Sequence, residues 1–84
     1  VKSLSIKGMV PLLCIDNLAI YIHTNAVYVS NIPAFGMKRY STTKEDLIKL
    51  QKNYPEIRQL YLQGLVYFET AALMPIFEEY FGIV

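Results

Sequence analysis

The sequence predicts an α+β fold: a three-stranded antiparallel meander followed by two helices, the second long and kinked or ended near Pro75. Apolar and polar residues alternate with a period of two over the first third of the chain. Thr42 with Glu45 three residues on forms a helix-start signal at the head of the second half. Apolar residues then recur at helical spacing from Ile57 onward. At 84 residues the chain is read as a single domain, 1–84, with a thin core.

The strands are Val10–Ile15, Leu18–His23 and Ala26–Ser30, rich in Ile, Val, Leu and Tyr. Asp16-Asn17 and Thr24-Asn25 separate them, and two-residue loops of this kind imply tight hairpins. Taken literally, the turns set Ile15 opposite Leu18, Cys14 opposite Ala19, Ile22 opposite Val27 and Tyr21 opposite Tyr28. One face then gathers Leu13, Ile15, Leu18, Ile20, Ile22, Val27 and Val29, and this aliphatic face is the core face. The other gathers Leu12, Cys14, Ala19, Tyr21, His23, Tyr28 and Ser30. A face that carries tyrosines and a cysteine is unusual for one turned only to water.

Residues 31–41 connect sheet to helix. From Thr42 the first helix runs with Leu47, Ile48, Leu50 and Tyr54 on its apolar side and a favourable Glu45–Lys49 pair on its surface. Pro55 stops it, because the residue before a proline is pushed out of helical backbone. Pro55 can itself open the second helix. That helix places Ile57, Leu60, Tyr61, Gly64, Leu65, Phe68 and Ala72 on one stripe, with Leu62, Val66 and Tyr67 off it. A helix apolar around most of its girth is covered on more than one side. Pro75 kinks or ends it, and Gly82 caps the final turn.

Composition excludes several classes of function. Apolar residues make up 54% of the chain and charged residues 18%, against about 25% charged in ordinary domains, which excludes intrinsic disorder. A single cysteine, Cys14, excludes an internal disulfide, and with His23 it falls short of a zinc set. In the meander Cys14 and His23 lie about 13 Å apart, too far for a nucleophile–base pair. Glu78 and Glu79 diverge on their helix. Glu69 interrupts an apolar run, either as a solvated edge or as a buried polar contact. The expectation is therefore no catalytic residues, no metal, no cofactor and no small-molecule substrate.

The apolar patch 9–15 that follows Lys2 and Lys7 is short and broken by Pro11, so it is not read as a signal peptide. The run 60–77 holds Glu69 at its middle, which argues against a membrane span. The expected location is intracellular (cytoplasmic) or within a virion.

What remains is association. Seven tyrosines and four phenylalanines are more aromatic surface than so small a core hides, and tyrosine is favoured at protein interfaces. The function expected is a non-catalytic protein-binding or assembly module that self-associates, as a homo-oligomer, or docks on a protein partner. Its interface residues are Tyr21, Tyr28, Tyr61, Leu62, Val66, Tyr67, Met74 and Phe77. A compact, cofactor-free chain of this size is typical of small accessory, regulatory, viral or mobile-element proteins.

Charge supports a second reading. Residues 38–58 carry a net +3 and residues 59–84 a net −3. Ile32-Pro33-Ala34-Phe35, then Gly36 and Arg39, then Glu45-Asp46-Leu47 opening a helix, resembles the wing and following helix of excisionase-type winged helix-turn-helix proteins. The resemblance covers residues 32–47 and implies DNA binding; the basic segment 38–58 offers Lys38, Arg39, Lys44, Lys49, Lys52 and Arg58 as the residues for it. Upstream it departs from the pattern, because 18–31 alternates as strands where both helices of the motif belong.

Overall fold

The computed structural model describes residues 8–23 and 25–83. Along the chain run β1 (Val10–Ile15), β2 (Leu18–His23), β3 (Ala26–Ser30), β4 (Arg39–Tyr40), α1 (Lys44–Asn53), α2 (Pro55–Leu62), β5 (Val66–Phe68) and α3 (Leu73–Tyr80). Lys2 and Lys7, used in the signal-peptide reading, and Thr24 of the second hairpin lie outside the described residues.

The meander forms as expected, with Ile15 opposite Leu18, Cys14 opposite Ala19, Tyr21 opposite Tyr28 and Ile22 opposite Val27. The sheet is larger than a meander, however. Its order is β4-β1-β2-β3-β5, and both edge strands run parallel to their neighbours. A mixed five-stranded sheet with three helices therefore replaces the expected three strands and two helices.

One difference is β4, a two-residue strand within the expected connector 31–41 that pairs with β1; the larger one lies between Gly64 and Leu73. The expected long helix is three elements. Gly64, at φ 78°, takes the left-handed conformation that ends α2. Its N–H donates to the Tyr61 carbonyl at 3.0 Å, and the Leu65 N–H donates to the Leu60 carbonyl at 2.8 Å. Released from the helix, Val66-Tyr67-Phe68 has the β-branched and aromatic character that suits a strand, and it pairs with β3. Pro75 lies in the first turn of α3, where its missing N–H costs no helical hydrogen bond. It therefore opens a helix and kinks none. Gly82 follows α3 as expected, with its N–H on the Glu79 carbonyl at 3.4 Å and that of Ile83 on Glu78 at 3.0 Å.

Two smaller corrections have local causes. The register shifts between Pro11 and Leu13, and Leu12 packs with Leu13 against the aliphatic cluster rather than on the tyrosine face. The cap of α1 is Thr43, whose Oγ1 accepts the Asp46 N–H at 3.1 Å, one residue beyond the expected Thr42–Glu45 box.

The sheet separates two apolar clusters. On one side Leu13, Ile15, Leu18, Ile20, Val27 and Val29 meet Leu50 of α1, Ile57 of α2, and Leu73, Phe77 and Phe81 in and after α3. On the other, Cys14, Ala19, Tyr21 and Met37 form a small cluster beneath the β3–β4 connection. All three helices thus contribute to the first side. Among the described residues the second side is covered at one end only, and that leaves a surface to explain.

Candidate protein-binding surface

Three tyrosines cross the second side in a row. Tyr21 on β2 stands opposite Tyr28 on β3, and Tyr28 stands opposite Tyr67 on β5. Exposure rises along the row, from 4% at Tyr21 to 54% at Tyr67. The Tyr21 and Tyr28 rings are 6.5 Å apart and tilted by 52°, within the range of favourable aromatic pairs. Toward β5 the row opens into a groove of about 240 Å³ lined by Met9, His23, Ala26, Tyr28 and Tyr67. Gly8 passes close over its rim, where a side chain at that position would meet the His23 ring at 2.9 Å.

The closed end is held by polar contacts. The Tyr21 hydroxyl donates to the Ile32 carbonyl at 2.5 Å. Burial, then the neighbouring Cys14, Glu69 and Tyr28, raise the Tyr21 phenol above its ordinary range, so it stays a donor at neutral pH. Ser30, fully buried, donates from its hydroxyl to Glu69 at 2.5 Å and accepts the Ile32 N–H at 3.0 Å. Of the two readings of Glu69, the polar contact is the one formed, and it ties the end of β5 to the end of β3.

The expected interface residues divide between surface and interior. Tyr28, Tyr67 and the buried Tyr21 are brought together. Phe77 is fully buried, and Tyr61 lies between Phe68 and Phe77, with ring centroids at 6.4 and 5.5 Å. The Tyr61 hydroxyl donates to Glu78, which raises its pKa. Val66 packs against the same core. Phe77 is thus a core residue, and Tyr61 and Val66 are half-buried residues that pack against that core. Leu62 (68% exposed) and Met74 (41%) reach the surface on α2 and α3, away from the tyrosine row.

Met9, His23 and Ala26 of the groove were not among the sequence candidates. The period-two pattern put His23 on the tyrosine face, but only the position of β5 makes that end of the face a groove. Cys14 on β1 stands opposite Ala19, which lies four residues before His23 on β2, so the thiol and the imidazole are not neighbours. Burial raises the Cys14 thiol above its ordinary value, offset in part by Arg39. Among the described residues no three His, Cys, Asp or Glu side chains cluster as metal ligands.

The basic residues fall into separate groups. Lys38 and Arg39 lie at the β4 edge, with the Lys38 ammonium 5.8 Å from the Tyr40 ring centroid. A hydrogen bond to Tyr40 is the main cause that raises the Lys38 pKa. Lys52 and Arg58 line a cleft of about 520 Å³ between α1 and α2, together with Ile48, Tyr54 and Leu62. Lys44 and Lys49 are exposed elsewhere on α1. No winged helix-turn-helix forms, since 18–30 is two strands and supplies neither helix of the motif. Among the described residues no helix is long and apolar enough to cross a membrane.

These features define a small α+β domain with a mixed sheet, helices on one side and a partly open tyrosine face on the other. No protein-family model and no curated protein matches the chain. Among solved structures, the chain is similar to the C-terminal domain of Gp16 from Bacillus virus phi29. The TM-score is 0.62 at 18% identity, over 89% of this chain and 85% of that one. At that identity the similarity is one of fold.

Proposed function

We propose that this domain is a non-catalytic protein-docking module whose contact surface is the open face of the sheet, centred on Tyr28 and Tyr67. The observation that supports this reading is the tyrosine row. A half-exposed aromatic beside a half-buried one, over an uncharged groove, offers apolar area with polar tips and asks no charge to leave water. The likeness in fold to a phage domain supports placing the module among small accessory or assembly proteins of viruses or mobile elements.

Replacing Tyr67 by a photo-crosslinking phenylalanine derivative tests the reading. One discrete adduct is expected from position 67 and none from exposed Gln63. Equal labelling from both positions, or none from position 67, overturns it.

Nucleic-acid binding is the second reading, supported by the cleft in which Lys52 and Arg58 stand with no carboxylate among the lining residues. Neutralising Lys52 and Arg58 should then flatten the salt dependence of binding to duplex DNA. An unchanged slope removes this reading.

A further inference from the structure

The β3–β4 connection presents an aromatic side chain that the fold does not use. Phe35 is fully exposed, at 105%. Its connection is nevertheless pinned on both flanks. The Met37 N–H donates to the Ala34 carbonyl at 3.2 Å, closing a turn with Gly36 at φ 78°, the conformation a type II turn needs at its third position. Ala34 and Met37 pack on Cys14, Ala19 and Tyr21, and the Tyr21 hydroxyl holds the Ile32 carbonyl. A benzyl group is thus held out into water on an anchored turn, with most of its ordering cost already met by the fold.

The same side of the sheet holds the Tyr28–Tyr67 groove. At about 240 Å³ it is smaller than the roughly 300–1,000 Å³ of a small-molecule site, and it suits one inserted side chain. Neither partner of such a contact holds an Asp, Glu, Lys or Arg: residues 31–37 contain none, and neither does the groove lining. Lys38, the cation nearest Phe35 in sequence, has its ammonium over Tyr40. A projecting group and a matching hollow on one face are what a two-fold contact between identical chains requires, because each copy then supplies both halves.

We propose that two copies of this chain pair face to face across the open side of the sheet, Phe35 of each seated in the Tyr28–Tyr67 groove of the other. This rests on the docking reading above and names its partner. Reciprocity doubles the contact, so two buried aromatic anchors hold the pair, and no carboxylate, ammonium or guanidinium group is desolvated at either.

The test uses the full chain. Light scattering over a concentration series should give twice the chain mass, with little change between low and high salt. Phe35→Asp and Tyr67→Asp should each weaken pairing by about tenfold or more. Both positions are exposed, and unchanged far-ultraviolet circular dichroism would show that each variant is folded. In a mixture of isotopically light and heavy chains, a photo-crosslinker at position 35 should join unlike chains through peptides that contain Tyr28 or Tyr67. A monomer at every concentration, a dimer insensitive to Phe35→Asp, or a crosslink that maps elsewhere overturns the pairing. In any of those cases, a discrete adduct from position 67 to a different protein would leave the docking reading standing. Loss of that adduct as well would end both.

Discussion

Tyr28 and Tyr67 are neighbours in parallel register on β3 and β5, although 39 residues and two helices separate them in the chain. That adjacency makes Tyr67 a surface residue of the sheet rather than a member of a helix stripe, and it separates binding from folding at single positions. Tyr67→Asp is expected to abolish docking while changing stability by no more than about 0.5 kcal/mol, the usual range for exposed positions. Phe77→Ala, by contrast, empties the centre of the aromatic cluster with Tyr61, Phe68 and Phe81 and should cost about 3–5 kcal/mol. Thermal melts alongside molar-mass measurements distinguish the two. Equal destabilisation by both substitutions would assign Tyr67 to the core.

The first three strands were legible because their side-chain period is two and their short loops fix the register from Leu13 onward; the shift between Pro11 and Leu13 left no local signal. The start of α1, Tyr54-Pro55 and the opening of α2 were legible for similar local reasons. Residues 63–72 were not. Leu60, Tyr61, Gly64, Leu65 and Phe68 satisfy helical spacing, and a three-residue strand is too short to show its own period. The local signal was Gly64: glycine after Gln63 and before a β-branched and aromatic triplet marks a helix end more firmly than it marks a helix stripe. The groove was illegible for a different reason, since it exists only where β5 meets β3, a contact distant in sequence.

Gly64 makes that signal testable. Its φ of 78° lies in the left-handed region, and a side chain there would meet nothing within 4 Å. Gly64→Ala therefore carries a backbone cost of about 1–2 kcal/mol and no steric one. Gly64→Asn should lose less, because asparagine tolerates that conformation better. Denaturant titration of both variants checks the order; equal losses would mean that crowding, not backbone conformation, sets the cost.

Ser30 ties the groove and the Phe35 turn together. Its hydroxyl bridges Glu69 after β5 and the Ile32 N–H before the turn. Ser30→Ala removes one hydrogen bond from half-buried Glu69 and one from the exposed Ile32, and the loss of the charge-assisted bond should cost about 1–3 kcal/mol. Amide exchange should accelerate at 66–69 and near Ile32, while α1 keeps its protection. Glu69→Gln retains a carbonyl acceptor for Ser30 and loses only the charge assistance, so its effect should be smaller. Uniform acceleration across the chain would show that this bridge supports the whole fold rather than the open face.

Cys14 and Tyr21 are expected to contribute to the alkaline limit of the domain. Burial raises both above their ordinary values, so each binds its proton more tightly folded than unfolded. A raised pKa contributes stability that is fully present below the unfolded value and is lost as pH rises through the folded one. Stability should therefore stay level on account of these groups through neutral pH and fall above about pH 9, where the unfolded thiol ionises first. Cys14→Ala should remove the thiol's share of that fall, leaving the later part due to Tyr21 and the other groups with raised values, Tyr61 and Lys38. The same burial, at 0% exposure, predicts that a thiol reagent at pH 8 labels Cys14 only at the rate of unfolding. Labelling of the native protein at the rate of a free thiol would show that the β3–β4 connection opens over this side of the sheet. It would remove the anchored turn on which Phe35 is presented.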